Sequence, residues 1–93
     1  MRIAAVCGSG LGSSFMVEMN IESILKDLNV KGVEVNHYDV GSASPDLADV
    51  FFVGGDLADS VRHLGNVVVL DSIIDMDELR DKVKMVLKNN NLI

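Results

Sequence analysis

The stretch Ile3–Ser14, IAAVCGSGLGSS, constrains this chain more than any other. An apolar run ends in Cys7. Gly8, Gly10 and Gly12 follow, and two hydroxyls, Ser13 and Ser14, close the stretch. From Phe15 onward the apolar residues recur at helical spacing. The order is therefore strand, glycine loop, helix N-terminus, with a thiol where the strand ends. Such a loop can turn several backbone N–H groups toward one point, and the helix dipole adds partial positive charge there. A phosphate is the anion that suits such a point. A thiolate is also an anion, so the same geometry is expected to lower the pKa of Cys7 and make it a nucleophile. The stretch reads as a cysteine that carries a phosphoryl group.

The rest of the chain supplies a scaffold for that loop. Arg2–Val6 reads as a buried strand, since a parallel strand covered on both faces is nearly continuously apolar. A helix is expected from Ser13 to Leu28, with Val17, Ile21, Ile24, Leu25 and Leu28 on one stripe. Ser13 or Ser14 is its expected N-cap, and Asn29 and Gly32 mark its exit. Val33–Asp39 alternates and reads as a strand nearer an edge. Gly41–Asp49 is short for a parallel crossover and has room for one helical turn at most. Val50–Val53 is a fully buried strand. A short helix carrying Leu57, Val61 and Leu64 follows Gly54-Gly55-Asp56, with Asp56 as its expected cap. Asn66–Leu70 is a fourth strand. Asp75 and Glu78 form the spacing of a capping box at the start of a last helix, which runs to about Lys88.

Four strands alternating with helical segments imply an α/β fold with a four-stranded parallel sheet and helices on both faces. Right-handed crossovers leave few topologies, and the expected order is 2-1-3-4. That order reverses between the first and third strands. Ligands of open α/β sheets bind at such a reversal, at the carboxyl ends of the strands. The P-loop-like cysteine loop would open there.

Bulk properties narrow the classes of function. At 93 residues one domain spanning 1–93 is expected, and a hydrophobic fraction of 48% makes it globular. No apolar run approaches the roughly 20 residues of a membrane span, and glycines interrupt the N-terminal run too early for a signal peptide. One cysteine forms no internal disulfide, which suits a reducing compartment, so a cytoplasmic protein is expected. A net charge of −6 argues against nucleic acid as a partner and against adhesion to an anionic membrane. No His, Cys and carboxylate cluster has metal-ligand spacing, so neither a metal nor a cofactor is expected.

Other glycine loops fit less well. A dinucleotide fingerprint would need glycine at position 13, where this chain has Ser13, although Asp39 could imitate the ribose-binding acid. A Walker A loop needs a lysine before its hydroxyl residue, and no lysine occurs between Met1 and Leu25. A structural turn around an inert buried cysteine, and a module that binds anions or small ligands without covalent chemistry, stay open. A pure binder needs the amides but not the thiol.

The run Cys7-Gly8-Ser9-Gly10-Leu11-Gly12-Ser13-Ser14 closely resembles the active-site loop of the enzyme IIB domains of the bacterial phosphoenolpyruvate–sugar phosphotransferase system. The pattern C-G-x-G-x-G-S-S is most similar to the ascorbate-type branch, with mannitol and galactitol domains more distant. The resemblance implies a sugar phosphotransferase whose cysteine takes a phosphoryl group from a phosphohistidine of enzyme IIA. The group then passes to a sugar held by the membrane component IIC, which the ascorbate-type resemblance makes ascorbate or a related polyol. Carried over by position, Cys7 is the phosphorylated residue, and Gly8, Ser9, Gly10, Leu11, Gly12, Ser13 and Ser14 cradle the group. Small tyrosine phosphatases also resemble this fold and have C-x5-R-[ST]. Here Ser13 stands where they have arginine, which removes a bidentate clamp on the phosphoryl oxygens. A carrier benefits from that loss, because it must keep its group from water.

Remaining polar and soft residues carry lesser expectations. His37 and His63 are expected at the surface, with His37 near the end of the second strand and close to the loop. Met16 and Met19 read as core filler, with Phe15 or Met16 in a docking surface as the alternative. Asp46, Asp49 and Asp59 read as solvated surface.

Overall fold

The computed structural model describes residues 1–8 and 13–93, without the side chain of Ser13. Four strands, β1 (Arg2–Cys7), β2 (Glu34–Asp39), β3 (Val50–Gly54) and β4 (Val67–Leu70), form one parallel sheet in the order β2-β1-β3-β4. This is the order expected from the alternation of elements.

Strand periodicity divides the core into two halves. On one side Ile3, Ala5, Val50, Phe52 and Leu70 meet the two long helices, α1 (Ser13–Asp27) and α2 (Met76–Asn89). Val17, Ile21, Ile24 and Leu25 of α1 and Leu79, Val83, Val86 and Leu87 of α2 fill that layer. On the other side Ala4, Val6, Phe51 and Val53 pack against Ala43, Ala48, Val61 and Leu64. The cover there consists of two 3-10 segments, Pro45–Leu47 and Gly55–Leu64, where a short helix was expected for the second. The longer segment is two pieces joined at a kink at Val61. Extended 3-10 runs are poorly hydrogen-bonded, which accounts for the break.

Ends of elements follow their residues closely. α1 exits through Asn29, in the left-handed region with φ 57°, and Val30 N–H donates to the Leu25 carbonyl at 2.9 Å. Ser13 and Ser14 lie inside α1, so neither is its flanking cap. Asp75 does cap α2, accepting from the N–H groups of Asp77 and Glu78 at 3.0 and 3.1 Å. The reciprocal half of the expected box is absent. Glu78 instead accepts from the backbone N–H groups of Asp71 and Ser72 at 2.6 and 2.9 Å, which reach its carboxylate first.

Candidate functional site

Cys7 is the last residue of β1, in register with Asp39 on β2. Val40 N–H donates to the Cys7 carbonyl at 3.0 Å, which ties the strand's end to its neighbour. The side chain points to the α1 side of the sheet. There its Sγ lies 3.0 Å from Ser14 Oγ, the thiol donating to the hydroxyl oxygen. Cys7 and Ser14 are both buried, and Ser14 is only 4% exposed. Ser14 sits in the first turn of α1, where unpaired N–H groups and the dipole favour negative charge. When the thiol ionises, the hydroxyl can rotate and donate to the sulfur instead.

Beside the sulfur is a cavity of about 120 Å³. It opens between the carboxyl ends of β1 and β3, where the sheet order reverses. Cys7, Gly8, Ser14 and Val17 line one side, and Gly54, Asp56, Leu70 and Ile73 line another. Asp56, expected to cap the segment after β3, does not: that segment starts after Gly54 and has no side-chain cap. Its carboxylate instead folds back over Gly54, so that a Cβ there would stand 2.8 Å from Asp56 Oδ1. Asp39 does not line this cavity. The hydroxyl and amide of Ser42 engage its carboxylate and hold it below the ordinary carboxylate range.

A second group borders the first turns of α1. His37, two residues from the end of β2 as expected, donates from Nδ1–H to the Glu18 carboxylate at 3.0 Å. The Phe15 ring lies 5.4 Å from the imidazole, tilted by 59°. Phe15, Met16 and Met19 are 51%, 36% and 53% exposed, so the methionines are surface residues and not core filler. They lie off the Val17–Ile21–Ile24 stripe, which takes the buried face. His63 is exposed on the opposite layer. Of the expected cradle, Cys7, Gly8 and Ser14 come together at the cavity. Ser9, Gly10, Leu11, Gly12 and the Ser13 side chain lie outside the described residues.

The sequence matches the family model described as "PTS system, Lactose/Cellobiose specific IIB subunit" over residues 2–85. The chain belongs to this IIB family. It is thus a component of a sugar phosphotransferase. Among relatives of this IIB chain, the ascorbate-specific EIIB component of Shigella dysenteriae is 30% identical, covering 97% of this chain and 92% of that one. The ascorbate-specific EIIB component of Escherichia coli O157:H7 is 33% identical over 75% of this chain and 70% of its own. The IIB fold is similar to the lactose-specific IIB domain of Streptococcus pneumoniae, with a TM-score of 0.66, 16% identity and 95% of each chain covered. It is also similar to the YwlE arginine phosphatase, solved as a cysteine-to-serine mutant with a phosphorylated active-site serine, at a TM-score of 0.68, 17% identity and 100% of each chain. These structural likenesses establish the fold, which IIB components and small phosphatases share. No helix among the described residues is long and apolar enough to cross a membrane.

Proposed function

We propose that Cys7 is the phosphoryl-carrying residue of this IIB chain, with residues 1–93 acting as a single phosphocarrier domain in the cytoplasm. Gly8, Ser9, Gly10, Leu11, Gly12, Ser13 and Ser14 cradle the group. The donor is a phosphohistidine of enzyme IIA. The Cys7 thiolate forms an S–P bond as the N–P bond breaks, and the electron pair returns to the imidazole. The acceptor is a sugar held by membrane enzyme IIC. Its hydroxyl oxygen then forms an O–P bond, the S–P pair returns to Cys7, and the hydroxyl proton leaves to a base or to solvent. Ascorbate or a related polyol is the proposed sugar, on the strength of the ascorbate-specific relatives.

The observation that carries this reading is the placement of the Cys7 sulfur. It stands at the sheet's reversal, 3.0 Å from a buried hydroxyl in the first turn of a helix, and beside a cavity open to a donor. Amides, hydroxyl and dipole favour the thiolate that attacks the donor and then the anion that it carries. The test is a chase. The chain, loaded with labelled phosphoryl group by the phosphoenolpyruvate relay, is mixed with vesicles bearing the cognate IIC and with ascorbate. Label should move from protein to sugar. Label that stays on the protein with every sugar offered, or a chain that never loads, would count against the carrier reading.

A further inference from the structure

Ile73 and Glu78 belong to parts of the chain with no evident share in phosphoryl chemistry, yet both bear on the cavity beside Cys7. Ile73 lines that cavity together with Val17, Phe52 and Leu70. It also lines an adjoining, outer pocket, with Gly54, Asp56, Leu70, Asp71 and Ile74. The side chain, which is half-buried, is thus shared by the walls of both pockets. Ile73 Cγ2 packs against Gly54, at ordinary contact distance (3.4 Å) from where a Cβ would stand. The turn that bears Ile73 is pinned from below. Glu78 gives up its place in a capping box and accepts from the N–H groups of Asp71 and Ser72. Lys82 in turn donates to Glu78 at 2.8 Å and to the Val69 carbonyl.

From this juxtaposition we infer that Ile73 is a water-excluding wall of the phosphoryl chamber, with Glu78 as its positioning residue, and that together they set the lifetime of phosphocysteine. The inference rests on the carrier reading of Cys7. The step it opposes is hydrolysis. A water oxygen forms an O–P bond, the S–P bond breaks with its pair left on the Cys7 sulfur, and a water proton passes to solvent, releasing inorganic phosphate. An attacking water needs a path and a hydrogen-bond acceptor to orient it. Along the wall the side chains of Val17, Phe52, Leu70 and Ile73 offer no acceptor, and the carboxylate that could orient a water, Asp56, lines both pockets, so Ile73 must keep water from lining up between it and the phosphoryl group. Truncating Ile73 joins the chamber to the outer pocket and opens such a path.

The test loads the protein through the relay, removes the donor, and follows loss of the phosphoryl group by intact mass. Ile73→Ala should shorten the lifetime at least threefold, and Glu78→Gln should shorten it in the same direction by loosening the turn. Ile73→Leu, which keeps the bulk, should restore most of it. Met85→Ala, which removes an exposed apolar side chain on α2, controls for general loosening. An Ile73→Ala lifetime within threefold of the parent, an equal loss in Met85→Ala, or a folded Ile73→Ala chain that cannot be loaded overturns the inference. A parent chain that itself takes no phosphoryl group overturns the carrier reading instead.

Discussion

Replacing Ser14 with alanine removes a single hydroxyl from the neighbourhood of the Cys7 sulfur. In the parent the Ser14 Oγ lies 3.0 Å from Cys7 Sγ, and both residues are buried. A hydrogen bond to a charged group contributes about 1.5–3 kcal/mol. Each pH unit of a shifted ionisation corresponds to about 1.4 kcal/mol. Loss of a donor to the thiolate should therefore raise the titration of Cys7 by about 1–2 pH units. The sign is fixed by which form gains: the hydroxyl stabilises the thiolate more than the thiol, so its removal favours the thiol. The assay is the rate of iodoacetamide labelling of the unphosphorylated protein as a function of pH. In the parent the midpoint should lie below the roughly 8.5 of an ordinary thiol. In Ser14→Ala it should move upward, and labelling below both midpoints should slow about tenfold or more. Ser14→Thr, which keeps a hydroxyl, should stay near the parent. A midpoint that does not move in Ser14→Ala, or moves downward, refutes the argument that this hydroxyl serves the sulfur.

Three other outcomes are expected. Lys82 and the amides of Asp71 and Ser72 hold the Glu78 carboxyl at about 2, against an ordinary 4.5. A lowered folded value gives stability that is complete above about pH 4.5 and is lost as pH falls through 2, so the melting-temperature gap between parent and Glu78→Gln should narrow across that window; a gap independent of pH would contradict it. Phe51, 1% exposed against the 3-10 layer, should cost about 3–5 kcal/mol when cut to alanine, read from urea unfolding. Methyl NMR of Met16 and Met19 should shift on adding the IIA donor, because they and Phe15 form an exposed apolar patch beside the first turn of α1; shifts confined to Met85 on α2 would place the donor elsewhere.

Much of the scaffold is legible in the residues. The continuous apolar runs Ile3–Val6 and Val50–Val53 can only be strands covered on both faces, and they are the two central strands. Short connections and parallel pairing then leave the order β2-β1-β3-β4 as the natural one. The place of Cys7 at the reversal of the sheet follows from that order and the motif alone. What escapes such reading depends on contacts distant in sequence. The apolar spacing of Leu57, Val61 and Leu64 suits an α-helix or a 3-10 turn alike, and the segment takes the 3-10 form with Val61 and Leu64 packed with Phe51 and Val53. Asp75 and Glu78 have the spacing of a capping box, but two amides at the end of β4 compete for Glu78 and win. Asp56 looks like a cap in one dimension. Only the absence of a side chain at Gly54 shows why it folds toward the crevice. Met16 and Met19 are apolar by composition alone, and their angular position off the buried stripe of α1 exposes them.

The central claim is that the Cys7 sulfur itself carries the phosphoryl group, and intact mass after incubation with phosphoenolpyruvate, the general relay proteins and the IIA donor tests it most directly. The expected result is a gain of one phosphoryl group per chain, located on the peptide that contains Cys7, abolished in Cys7→Ser, and accompanied by full protection from iodoacetamide. A phosphoryl group found on His37 or His63, or retained undiminished in Cys7→Ser, would contradict it.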